Sequence, residues 1–147
     1  MYKHLLVSTD GSKLSEKAVA HAVGLAKALG AKVTAFYASP DYPAPVYAEG
    51  VAYMSISRKA YAALRNKEAD KVLKSAAAKA QAAGVEANLV HVIAAAPWEA
   101  ILAAAKRNKC DAIVMASHGR RGISALLLGS ETQRVLTHTK LPLIVVR

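Results

Sequence analysis

A five-stranded, parallel, doubly wound (Rossmann-like) α/β sheet in the order 3-2-1-4-5, with helices on both faces, is the fold that this sequence predicts. Three observations carry the prediction. Short runs rich in Val, Ile and Leu recur along the chain, and each is too continuously apolar to have one wet face. Between them lie stretches of helical length with their own start and stop signals. Strand and helix alternate as β-α-β-α-β-α-β-α-β, which calls for crossover connections and therefore parallel pairing. A doubly wound sheet begins at its centre, builds to one edge and returns to build to the other. The reversal then lies between the first and fourth strands.

The first strand is read at residues 3–8 (KHLLVS), followed by the turn chemistry of Thr9, Asp10, Gly11 and Ser12. A helix over Lys13–Leu29 places Ala18, Ala22, Leu25, Ala26 and Leu29 at helical spacing, and Gly30 stops it as a left-handed cap. Residues 32–38 (KVTAFYA) form the second strand. The next stretch, residues 39–57, starts with Pro40, Pro43 and Pro45 and reads as a long structureless connection, expected to be mobile near the mouth of any site. A second helix over Arg58–Ala83 turns Tyr61, Leu64, Val72, Leu73, Ala76 and Ala80 inward, carries an outer Asp70 to Lys74 pair, and ends at Gly84. The third strand is Ala87–Ile93, and Pro97 opens a helix running to about Asn108. Ala112–Ala116 is the fourth strand. Ser130 and Gln133 have the spacing of a capping box at the start of a helix over residues 130–140, and residues 141–147 (LPLIVVR) close the sheet.

The 147 residues are read as one domain, 1–147, because a chain of this size buries about 68–70% of its unfolded surface and needs no covalent staple. The single cysteine, Cys110, excludes an internal disulfide framework and reads as a small buried filler. No apolar run approaches the roughly 18 residues that cross a bilayer, and the opening MYKHLLVSTD lacks a leader pattern, so a cytoplasmic location without membrane contact is expected. A net charge of +10 favours an anionic partner. Seven cations between Arg58 and Lys79 read as a solvated helix face. Nucleic acid is disfavoured, since aromatic residues are only 5% of the chain and no base-reading motif occurs.

Function is most legible between residues 113 and 132, IVMASHGRRGISALLLGSET. Gly119 and Gly129 flank a basic loop, and the second glycine leads into a helix whose free N–H groups and positive dipole end suit an anion. In a doubly wound sheet, ligands bind at the carboxyl ends of the strands beside the switch point. Those ends are Ser8-Thr9-Asp10 and Ala116-Ser117-His118-Gly119. Topology and glycine spacing therefore point to one place.

The spacing of Gly119, Gly129 and Ser130, together with the DGS turn, the proline-containing loop and the closing LPLIVVR, resembles the universal stress protein family. That family's nucleotide-binding motif reads Gly-x2-Gly-x9-Gly-Ser/Thr, and this chain departs from it in having Ala116 at the first position. The resemblance implies a usually dimeric fold of this strand order, in a family divided into members that bind ATP and members that do not, the glycine motif marking the former; ATP or AMP is the expected ligand, and whether Mg²⁺ accompanies ATP is left open by the sequence. It places adenine and ribose contacts on Ser8, Thr9, Asp10 and the backbone of Ala38, with Met115 and Ala116 as the floor. Phosphate contacts would fall on His118, Gly119, Gly129, Ser130, Glu131 and Thr132.

From the residues alone, Asp10 either caps the first helix or takes a ribose hydroxyl, and Ser130 can serve as cap and phosphate ligand together. Of Arg120 and Arg121, one screens phosphate charge and the other is solvated. No G-x-x-x-x-G-K-S/T loop, no paired-carboxylate metal site and no nucleophile with an identifiable base occurs, so no catalytic residue is assigned and at most slow ATP hydrolysis is expected. The expectation is a regulatory stress-response protein that binds an adenine nucleotide, its regulated partner unnamed by the sequence. The alternative is a nucleotide-free dimeric interaction module. The last strand, an uncharged edge until Arg147, is expected to pair with its copy in a homodimer.

Overall fold

The computed structural model describes residues 1–44, 46–53, 56–120 and 128–147, with backbone alone at 48 and 51–53. Its elements run β1 (His4–Ser8), α1 (Lys13–Leu29), β2 (Lys32–Ser39), β3 (Val46–Ala48), β4 (Val51–Tyr53), α2 (Arg58–Ala83), β5 (Ala87–Ile93), α3 (Pro97–Arg107), β6 (Ala112–Ala116), α4 (Ser130–His138) and β7 (Leu143–Val146). Five strands make the main sheet, in the order β5-β2-β1-β6-β7 with every pairing parallel. This is 3-2-1-4-5 once the separate β3–β4 pair is set aside. The carboxyl ends of β1 and β6 are adjacent, and the chain leaves them in opposite senses.

Because successive side chains on a strand face opposite ways, the sheet divides its apolar residues between two cores. Leu5, Val7, Val33, Ala35, Tyr37, Ala112, Val114 and Ala116 face α1 and α2. Leu6, Phe36, Ile113 and Met115 face Ile101, Ala104 and Ala105 of α3 and Val135 of α4. Leu6, Phe36 and Ile113 are wholly buried, and each such side chain contributes about 1.5–3 kcal/mol of transfer free energy. The α1 and α2 faces are dominated by alanine, so these helices present little bulk to the sheet and to each other. The α1 stripe is Ser15, Ala18, Val19, Ala22, Val23 and Ala26, while Leu29, the last helical residue before the left-handed cap at Gly30, is exposed. In α2 the inward residues are Ala69, Val72, Leu73, Ala76 and Ala80. Leu64 is exposed, lying in the half of α2 that precedes these contacts, and among the described residues α2 forms ion pairs through Arg65–Glu68, Glu68–Arg120 and Lys79–Glu16 rather than Asp70–Lys74.

The connection after β2 is not structureless. Val46–Ala48 pairs antiparallel with Val51–Tyr53 across Glu49-Gly50, whose φ values of 51° and 76° define a two-residue hairpin turn of the mirror-image type I class. Its base is fastened: the Tyr42 hydroxyl donates to the Ile56 carbonyl, and the Tyr61 hydroxyl lies within bonding distance of the Pro40 and Asp41 carbonyls. Pro45 and residues 54–55 lie outside the described residues.

The helix after β6 also differs from expectation. Gly129, not Ser130, is the N-cap, and it has no side chain to offer. Ser130 is already helical, so no capping box forms. The helix ends at His138, where the Thr139 hydroxyl bonds both the N–H and the carbonyl of Leu141, and sheet pairing resumes when Ile113 N–H donates to the Pro142 carbonyl. Cys110 is buried among α3 and the sheet, and that burial pushes its thiol up to about 11, leaving it protonated and inert at neutral pH.

Candidate functional site

The DGS turn builds one wall of the site. Gly11 sits at φ 76°, and a Cβ there would meet Val72 at 3.0 Å and the Arg120 guanidinium at 3.2 Å, so both backbone shape and space call for glycine. Ser12 caps α1 by accepting from the Ser15 N–H at 3.3 Å. The Thr9 hydroxyl lies 3.0 Å from that of Ser15 and accepts from the Gly11 N–H. Thr9 is therefore buried and engaged within its own turn.

Asp10 ties this wall to the opposite one. Its Oδ1 accepts the Ser12 N–H at 2.9 Å and its Oδ2 the Arg120 N–H at 2.8 Å. Burial alone would raise this carboxyl, but donors from Ser12, Arg120 and Ser15 outweigh it, and its pKa lies below the ordinary aspartate value. A Cβ on Gly119 would fall 2.5 Å from Oδ2, so the missing side chain of Gly119 makes room for this carboxylate.

Gly129 is used in the same way. A Cβ there would meet the His118 Cα at 3.1 Å and the Ser117 carbonyl oxygen at 3.3 Å, and the Gly129 N–H donates to that oxygen at 2.7 Å. Bare backbone thus lets the start of α4 lie directly on the chain leaving β6. The Thr132 hydroxyl fixes the same junction by donating to the Ala116 carbonyl at 2.9 Å. Glu131 reaches sideways to accept the Trp98 N–H at 2.8 Å, supplying the first turn of α3 with the acceptor that its own N-cap, Ala96, lacks.

Between these walls is a cavity of about 700 Å³. Every residue named from the sequence as a contact lines it: Ser8, Thr9 and Asp10 from β1 and its turn, Ala38 from β2, and Met115 and Ala116 from β6. His118, Gly119 and Arg120 come from the following loop, and Gly129, Ser130, Glu131 and Thr132 from α4. The side chains do different things, however. Those of Thr9, Glu131 and Thr132 are committed to protein partners, and the Thr9 N–H is itself donated to the Phe36 carbonyl at 2.9 Å, so only Glu131 and Thr132, in the first turn of α4, have backbone N–H to offer an anion. Ser130 is exposed and offers its hydroxyl as well. Ala116 turns its methyl into the core shared with α1 and α2. Arg121 lies outside the described residues.

The cavity also takes in residues that the sequence did not single out. Tyr37, Pro40 and Asp41 come from β2 and its exit, Ala94, Ala95, Pro97 and Ile101 from the β5–α3 region, and Arg65 and Glu68 from α2. Glu68 pairs with Arg65 at 2.9 Å and with Arg120 at 3.0 Å. The signal for these two was present as an i,i+3 pair of opposite charge, but nothing in the sequence distinguishes it from a solvated one.

A model of the universal stress protein family matches residues 1–147. Universal stress protein MJ0531 of Methanocaldococcus jannaschii is 33% identical over 150 residues, spanning 100% of this chain and 83% of the relative. A universal stress protein solved in complex with cAMP superposes with a TM-score of 0.72 at 26% identity, covering 99% of this chain and 97% of that one. The universal stress protein from Archaeoglobus fulgidus in complex with dAMP gives a TM-score of 0.71 at 19% identity over 99% and 98% of the two chains.

Proposed function

The chain belongs to the universal stress protein family, and from that premise we propose that its crevice binds an adenine nucleotide as a regulatory ligand, AMP or ATP. The observation that carries this reading is the meeting of β1, β6 and an uncapped α4 N-terminus around one cavity of about 700 Å³, a volume in the range of small-ligand sites. The phosphates would lie against the N–H groups at Gly129, Ser130 and Glu131 and the Ser130 hydroxyl, with Gly119 and Arg120 on the facing loop. Base and ribose would lie towards Ser8, Asp10, Ala38 and Met115. Asp10 keeps acceptor capacity for a ribose hydroxyl beside its two N–H donors, since an ionised carboxylate accepts about four. The relatives solved with cAMP and with dAMP support an adenine ligand. The family further supports a cytoplasmic, stress-responsive role in which the bound nucleotide alters the protein's surface or assembly.

The proposal assigns binding and no catalytic residue. Among the described residues no group of three His, Cys, Asp or Glu side chains stands ready to hold a metal. Any Mg²⁺ would therefore arrive on the phosphates of ATP, where it would offset their charge.

Calorimetry with AMP and ATP tests the reading, and absence of heat with both would sink it. Ala116→Gly belongs in the same experiment. Ala116 is 8% exposed and belongs to the core shared with α1 and α2, so affinity should stay equal or rise by no more than about threefold, while stability falls by roughly 1 kcal/mol. A large gain in affinity would mean that the methyl obstructs the ligand after all.

Assembly is proposed through β7. It is an edge of the sheet, and Leu143, Ile144, Val145 and Val146 are all half-buried there, so pairing with the same strand of a second copy would satisfy its free backbone groups. Val145→Lys should shift sedimentation at micromolar concentration from dimer to monomer. A parent protein that sediments as a monomer would refute this arrangement.

A further inference from the structure

Glu68 holds both of the cavity's described arginines. One carboxylate oxygen binds Arg65 and the other Arg120, so the two guanidiniums meet on a side chain of α2. Arg120 is otherwise well placed for a phosphate, because its backbone N–H is fastened to Asp10 at the glycine loop, yet its charge is drawn across to α2. Arg65 carries a second sign of an incomplete arrangement: its Nε is buried and has no hydrogen-bond partner among the described residues. An unmet buried donor is costly, so a state in which the guanidinium turns to another acceptor is favoured by that bond. The Tyr37 hydroxyl faces the same cluster, and burial together with the Glu68 charge raises its pKa.

The charge of the cavity's described lining runs against that of the protein. That lining has four carboxylates, Asp10, Asp41, Glu68 and Glu131, and two guanidiniums, in a chain of net charge +10. A ligand with more negative charge meets more repulsion there unless Glu68 releases its arginines. We propose that Glu68 is an internal counter-anion that sets the phosphate-charge selectivity of the crevice, favouring nucleoside monophosphates over metal-free triphosphates by occupying Arg65 and Arg120. This rests on the nucleotide reading and deepens it: AMP brings about two negative charges and ATP roughly twice as many, so each must compete with one carboxylate for the same two cations. Glu68 acts through the arginines and is a positioning residue.

The test is magnesium-free calorimetry with AMP and with ATP on the parent protein, Glu68→Gln and Arg65→Gln. Glutamine keeps the shape of Glu68 and removes its charge. The ratio of ATP to AMP affinity should rise about tenfold in Glu68→Gln, the scale of one partly screened unit charge acting on the added phosphates, and fall in Arg65→Gln. A merely structural role for Glu68 would change both affinities by the same factor, and an unchanged ratio overturns the inference while leaving nucleotide binding intact. No heat from either nucleotide with any of the three proteins overturns the nucleotide reading and this inference with it.

Discussion

Gly129→Val is expected to cut the proposed nucleotide binding by at least about a hundredfold and to weaken the fold at the same time. The added Cβ would stand 3.1 Å from the His118 Cα and 3.3 Å from the Ser117 carbonyl oxygen, both of them backbone, and valine adds two methyl groups beyond it. Backbone cannot rotate away. The loop after β6 must separate from the start of α4, stretching the 2.7 Å bond from Gly129 N–H to Ser117 and the Thr132 hydroxyl bond to Ala116. Overpacking of this kind costs about 1–3 kcal/mol, seen as a lower urea midpoint. Binding should suffer more, because the proposed phosphate seat places two or three charge-assisted bonds, each worth about 1.5–3 kcal/mol, on that junction, and a loss of at least about a hundredfold is expected. Gly24→Ala is the control, since nothing lies within 4 Å of a Cβ at Gly24. Full stability in Gly129→Val with binding lost would show that the glycine serves only the ligand.

Asp10→Ala has the second large effect. Two backbone donors, Ser12 and Arg120, lose a charged acceptor, and the link between the turn after β1 and the loop after β6 is cut. Allowing for the half-buried setting, the expected destabilisation is about 2–4 kcal/mol near neutral pH, with nucleotide affinity reduced by tenfold or more, on the order of one to two lost bonds. The pH dependence identifies the cause. The folded-state pKa of Asp10 lies below the ordinary 3.8, so on acidification the unfolded chain takes up the proton first. The contribution of Asp10 is complete above the ordinary value and is lost as pH falls through it towards the depressed folded one. Urea unfolding at about pH 7 and about pH 3 should therefore show the gap between parent and variant closing at the acid end. A gap that stays constant would place the cost in packing rather than in the carboxylate.

The fold was legible because its signals are local and redundant. Gly30 and Gly84 both adopt the left-handed conformation that ends α1 and α2, and Pro97 begins α3 where a missing N–H is harmless. The β3–β4 hairpin escaped because Glu-Gly is a weaker turn signal than Asn-Gly or Asp-Gly, although VYA and VAY on either side mirror each other. The cap of α4 was misplaced by one residue for a related reason: Ser130 has the right side chain for an N-cap, but close approach to residues 117 and 118 calls for the residue with none. The position of the cavity could be read, since topology and glycine spacing both mark that end of the sheet. The work of individual side chains could not. That Glu131 serves α3, that Thr132 serves β6, and that Arg65 and Glu68 face a cavity instead of solvent all depend on how helices distant in sequence are set against one another.

The bond from Trp98 N–H to Glu131 gives the molecule a built-in optical gauge. Trp98 is the only tryptophan in the chain, its ring lies 4.5 Å from that of His138, and its backbone is fastened to the first turn of α4. The single indole chromophore is thus anchored to both ends of one helix, at the carboxylate beside the proposed phosphate seat and at the imidazole of its last residue. Any shift of α4 on its neighbours alters the contact between indole and imidazole, and with it the surroundings of the indole. The emission of the unlabelled protein then reports the state of its crevice with no probe added.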